Sequence, residues 1–103
     1  MITEVARFTA SPGRETEFAQ AIQEGLKVIQ RQPVHRRSCL MRGLEHPDQF
    51  TLIVEWESLD GKMAFRNGPD FPEWRKPIND LMAQPPDSGH WTVLQDTASM
   101  PVG

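Results

Sequence analysis

QFTLIVEWE, Gln49 to Glu57, is the most regular stretch of this chain. Phe50, Leu52, Val54 and Trp56 fall on one face of an extended backbone, and Thr51, Ile53 and Glu55 on the other. Such alternation predicts a strand with one side fully buried. Upstream, Glu45-His46-Pro47-Asp48 reads as a turn and Ser38 to Leu44 as another strand. A four-residue link containing proline between two such runs implies an antiparallel hairpin.

The rest of the chain surrounds this hairpin. Ile2 to Ala10 reads as a first strand, with Ile2, Ala6, Phe8 and Ala10 on one side and Val5, Arg7 and Thr9 on the other. Ser11 is placed to cap a helix over Arg14 to Arg31, with Pro12 at its first position. Its apolar stripe is Phe18, Ile22, Gly25, Leu26 and Ile29, and Gly25 is expected to let it lie close on the sheet. Pro33 ends it. After Gln49–Glu57, Ser58 caps a short helix through Phe65, which Asn67-Gly68-Pro69 breaks. Asp70 caps a further helix whose stripe is Phe71, Trp74, Ile78, Leu81 and Met82, with a kink or change of pitch expected at Pro77. Pro85-Pro86 opens a loop, and His90 to Gln95 is the last strand.

The order is β-α-β-β-α-β: an α+β, ferredoxin-like plan with a four-stranded antiparallel sheet. Residues 1–95 form one domain and residues 96–103 a tail. The helices are one-sided and cover one sheet face. The other, with Val5, Arg7, Ile53 and Glu55, calls for a second subunit, hence a homodimer.

Composition narrows the function. In 103 residues the net charge is −3, which disfavours nucleic acid and anionic membrane surfaces. No apolar run approaches the ~20 residues of a membrane span. The N-terminus lacks the basic start and apolar block of a secretory signal, and Cys39 is the single cysteine. These features read as a cytoplasmic protein. No dinucleotide, phosphate-loop or metal-ligand spacing is present, so no cofactor is expected, and the partner expected besides a second copy is a small-molecule substrate.

The stretch Phe50 to Ile78, FTLIVEWESLDGKMAFRNGPDFPEWRKPI, resembles the signature of the antibiotic biosynthesis monooxygenase family. The resemblance lies in the alternating strand ending Trp56-Glu57-Ser58-Leu59, then Phe65-Arg66, then Phe71 and Trp74-Arg75. The opening from Val5 to Phe18 and the closing run from Pro86 to Val93 are also similar. It implies a dimeric α/β barrel, helices outside, with a pocket between sheet and helices in each subunit. Activities in that family include oxygenation of phenols and quinols without a bound cofactor, haem degradation, and a small-molecule isomerisation. Many relatives place a histidine in the short helix, where Lys62 is the nearest counterpart here. Haem-degrading relatives place an iron-binding histidine where Arg75 stands and an asparagine on the first strand, which is lacking here. The haem reading is disfavoured.

Without a cofactor, oxygen chemistry must draw its electrons from the substrate. A deprotonated phenol or quinol is electron-rich enough to reduce O₂, so the protein needs a dry aromatic pocket, a proton acceptor and donors for the oxyanion. His90 is the candidate acceptor, imidazole being the side chain that ordinarily titrates nearest neutrality. It equally reads as a strand-end histidine bonded to the preceding loop. Trp56 either offers its indole N–H to a substrate oxygen or anchors the core. Leu52 and Val54 share its face and line the pocket, with Phe65, Phe71 and Trp74 as walls. Lys62 and Arg66 stand near the rim, where they, like Arg75, hold an anionic substrate or form a solvated face. A cofactor-independent monooxygenase of a small aromatic compound is the leading reading. A non-catalytic or isomerase-type ligand-binding dimer of the same fold is the alternative.

Overall fold

Antiparallel pairing of β1 (Ile2–Thr9) with β3 (Gln49–Trp56) defines the two faces of the sheet. Ala6 lies opposite Leu52 and Phe8 opposite Phe50, so the even-numbered residues of both strands share a face. In this computed structural model, which describes residues 1–97, β2 (His35–Arg42) and β4 (Asp87–Trp91) complete a four-stranded antiparallel sheet in the order β2-β3-β1-β4. α1 (Glu15–Gln30), α2 (Leu59–Arg66) and α3 (Phe71–Asn79) lie on the even face. This is the expected ferredoxin-like arrangement. The core is the alternating set Ala6, Phe8, Phe50, Leu52, Val54 and Trp56, packed on Phe18, Ile22, Phe65, Trp74 and Ile78. No helix among the described residues is long and apolar enough to cross a membrane. The tail expected over 96–103 lies outside the described residues from 98 onward.

Several boundaries differ from expectation. Ser11 does not cap α1. Arg14 N–H donates to the Ser11 carbonyl at 3.0 Å and Gly13 has φ +78°, so Ser11-Pro12-Gly13-Arg14 is a turn of the kind that needs glycine third. The helix starts after it, at Glu15. β2 begins at His35 rather than Ser38, with a register shift around Arg36, because the chain turns extended directly after Pro33-Val34. β4 spans Asp87–Trp91 rather than His90–Gln95, because Pro85-Pro86 is itself the break and pairing starts beyond it. Asp70 makes no side-chain cap; its carboxylate accepts from Gln32 Nε2 at 3.0 Å instead. α3 contains Pro77 and ends two residues later, so Leu81 and Met82 lie beyond it, and Leu81 N–H donates to the Ile78 carbonyl, a tighter turn.

Gly25 corrects a further expectation. A Cβ there would lie 2.9 Å from Trp74 Cε3, so Gly25 permits a close approach of α1 to α3, not to the sheet. α2 is positioned similarly. Ser58 Oγ accepts from Gly61 N–H at 3.0 Å to start it, and a Cβ on Gly61 would meet Val34 Cγ1 at 2.7 Å.

Candidate functional site

Glu4 is the charged member of the inward row of β1, between Ile2 and Ala6. Its carboxylate is engaged on both oxygens. Trp56 Nε1–H donates to Oε1 at 3.1 Å, and Lys62 Nζ lies 3.6 Å from Oε2. The two ionic side chains are only 11% (Lys62) and 17% (Glu4) exposed. Desolvating such a pair costs about as much as its attraction returns, so fold stability alone is a weak reason for it.

The pair forms the polar wall of a cavity of about 70 Å³ between the sheet and α2/α3. Ala6, Phe8 and Leu52 floor it; Phe65, Phe71 and Trp74 are its aromatic walls; Pro86 and Ser88 close the β4 side. An engineered cavity of roughly 150 Å³ admits benzene. A ring therefore enters here only if the cavity widens; of its lining, Phe71 is half-buried and Arg66 exposed. The aromatic lining is continuous with the core, since Trp56 and Phe65 lie 5.6 Å apart and Phe65 and Phe71 5.5 Å apart between ring centroids.

The cavity is electropositive within a chain of net charge −3. Lys62, Arg66 and Arg75 line it against the single carboxylate of Glu4. Burial, and then the neighbouring Arg66, hold the Arg75 guanidinium below its ordinary pKa. Among the described residues, no three of His, Cys, Asp and Glu gather as a metal site.

Of the expected site residues, Leu52, Lys62, Phe65, Arg66, Phe71 and Trp74 line this cavity. Lys62 is not at the rim but buried, because α2 seats it and Phe65 one turn apart on the sheet side. Trp56 and Val54 share the cavity's face yet stand behind its lining; Trp56 is fully buried with its N–H committed to Glu4. His90 sits on the same face, cross-strand from Glu4, but is exposed on the edge strand and outside the lining. Glu4 was missed in the sequence, although a carboxylate in an otherwise apolar row was the available signal. His35 was missed too. Its ring meets Trp56 edge-on at 6.3 Å, its Nε2 is buried without a partner, and burial lowers its pKa.

Residues 1–77 match the family model for antibiotic biosynthesis monooxygenase. A Bordetella bronchiseptica protein described as an antibiotic biosynthesis monooxygenase is 34% identical, with a TM-score of 0.84 over 91% of this chain and 97% of that one. SnoaB, a cofactor-independent oxygenase from Streptomyces nogalater, has a TM-score of 0.84 at 23% identity over 95% of this chain and 97% of its own, a likeness of fold. YczJ of Bacillus subtilis is 26% identical over 92 residues, 88% of this chain and 97% of YczJ.

Proposed function

Because the chain belongs to the antibiotic biosynthesis monooxygenase family, whose general function is of the monooxygenase type, we propose that it oxygenates a small phenol- or quinol-like compound without a cofactor, in the Glu4–Lys62 cavity. The observation that carries this reading is a carboxylate and an ammonium 3.6 Å apart in an aromatic-walled cavity. That SnoaB, of the same fold, is a cofactor-independent oxygenase also supports it.

In this reading Glu4 takes the phenolic proton and Lys62 holds the oxyanion left behind. A carboxylate is ordinarily a far weaker base than a phenolate, so the transfer is favourable only where cations stabilise the product. Lys62 sits beside the acceptor, with Arg66 and Arg75 on the same cavity. The phenolate gives one electron to O₂, and the two radicals recombine to form a C–O bond. Loss of water then leaves a quinone. All electrons come from the substrate: one phenol and one O₂ give one quinone and one water. His90, on solvent's side of Glu4, is the route by which the proton leaves. The reading includes a homodimer joined through the uncovered sheet face.

An oxygen electrode with a panel of phenols, hydroquinones and naphthols tests this. We expect oxygen uptake matched by quinone formation for at least one compound, without added metal, flavin or haem. Binding without oxygen uptake across the panel would overturn it. The same carboxylate–ammonium pair also suits proton transfer within one substrate, an isomerisation, which deuterium exchange into a bound enolisable ligand would reveal.

A further inference from the structure

Lys62 has Glu4 as its counter-ion, but the other two cations of the cavity have none. Arg66 holds its guanidinium carbon 4.4 Å from the centroid of the Phe71 ring, and Arg75 holds its own 5.6 Å from the same centroid. Among the described residues neither lies within 4.0 Å of a carboxylate oxygen. The nearby acids are engaged elsewhere: Asp70 by Gln32 and Arg31, and Glu73 by Arg31. Arg75 Nε–H donates to Asn79 Oδ1 at 3.2 Å, which fixes the guanidinium plane and leaves its terminal N–H groups free. Helix polarity suits Arg66, in the last turn of α2, but does not account for Arg75, which is partly buried within α3.

Two guanidiniums that share one ring, line one cavity and lack an acid form a site for an oxyanion, which such forks bind bidentately. Resting on the reading of this cavity as the substrate site, we infer that the substrate is an aromatic alcohol bearing a carboxylate or phosphate group, held by Arg66 and Arg75. The ring stacks at Phe71, the oxyanion lies at the mouth, and the hydroxyl points inward to Glu4 and Lys62. An anionic group at the mouth also removes the repulsion between the two guanidiniums, so it favours the open, ligand-filled cavity.

Calorimetry under nitrogen, so that no turnover occurs, tests this with three matched probes: hydroquinone, 2,5-dihydroxybenzoate and 4-hydroxyphenyl phosphate. At least one anionic probe is expected to bind about tenfold or more tighter than hydroquinone, as charge-assisted contacts imply. The stronger of the two identifies the oxyanion. The double variant Arg66→Gln, Arg75→Gln should lose that preference while the far-ultraviolet dichroism stays the same. In the unaltered protein, raising NaCl from 50 to 500 mM should weaken the anionic probe alone. Equal binding of all three probes, or a preference that survives the double variant, overturns the inference while leaving the cavity as an aromatic site. Failure of every probe to bind overturns both.

Discussion

Glu4 breaks an otherwise apolar row, and its two partners show why the break is tolerated. Replacing it with glutamine keeps the shape and the indole contact but removes the charge that Lys62 faces at 3.6 Å. If Glu4 is the proton acceptor, Glu4→Gln lowers turnover by about 10²–10⁴-fold, the usual range for a lost general base, in a folded protein. His90→Ala, altering an exposed residue outside the lining, should lower it by less than about tenfold. The reverse order in steady-state kinetics would return the role to His90. The walls of the site are legible in the sequence because helical spacing puts Phe65, Phe71 and Trp74 on inward faces, whereas the burial of Lys62 is not. Glu4 is not, because strand parity is easily overridden by the expectation that charges face water. His35 supplies a pH dependence of known sign. Its ring is partly buried, with Nε2 sealed from solvent, and its pKa is lowered, so as pH falls below about 6.5 the unfolded chain takes up the proton first. Its contribution to stability is therefore present above 6.5 and lost as pH falls through the folded value. His35→Phe should flatten the dependence of the urea midpoint on pH between 7.5 and 5.5; an unchanged dependence would show that other groups govern it.

The helical layer is held at its narrowest points by glycine, and there helix propensity and packing oppose each other. Gly25→Ala gains about 1 kcal/mol in an isolated helix. Here it puts a methyl 2.9 Å from Trp74 Cε3 and 3.3 Å from the Trp74 carbonyl oxygen. Trp74 is 5% exposed and cannot swing aside, so overpacking costing about 1–3 kcal/mol outweighs the gain. The melting temperature of Gly25→Ala should fall by several degrees, on the order of 4–8 °C per kcal/mol for a domain of this size. Combining it with Trp74→Phe should recover part of the loss; a melting temperature that rises in the single variant would show that α1 and α3 can separate. This contact illustrates how far elements can be read from sequence. That Gly25 lies on a buried stripe follows from period 3.6, but which element it meets depends on where α3 sits, a tertiary fact. Strand edges shift for a similar reason. β4 takes its limits from pairing with Thr3 to Arg7, and the exposed Val93 and Leu94 that suggested a later strand have no partner in the sheet.

For the whole molecule, the unanswered demand is the odd-numbered sheet face. Helices cover only the other side. Three eight-residue strands and the five-residue β4, at about 3.3 Å per residue and about 4.8 Å apart, make a face of at most roughly 26 by 19 Å. With side-chain relief, burying it approaches the ~800 Å² per partner of a standard interface. Val5 and Ile53 sit at its centre, and Met41 and Trp91 are 44% and 61% exposed on its outer strands. Its charges come as opposite-sign neighbours: Arg7 lies across from Asp87, and Arg37 across from Glu55. Such pairs can neutralise one another when water leaves, whereas lone charges would forbid burial. The apolar centre and paired rim together support association of two copies through this face. Ile53→Asp puts an unpaired charge at the centre and should abolish it. Sedimentation equilibrium at micromolar concentration should give the unaltered protein twice the chain mass of 11.7 kDa, and Ile53→Asp that of one chain or an unfolded species. Leu44→Asp, altering a loop residue 91% exposed and off this face, should leave the mass unchanged. A wild-type chain that sediments as a single 11.7 kDa species would remove the dimer. The cavity reading would survive, because each lining residue comes from one subunit.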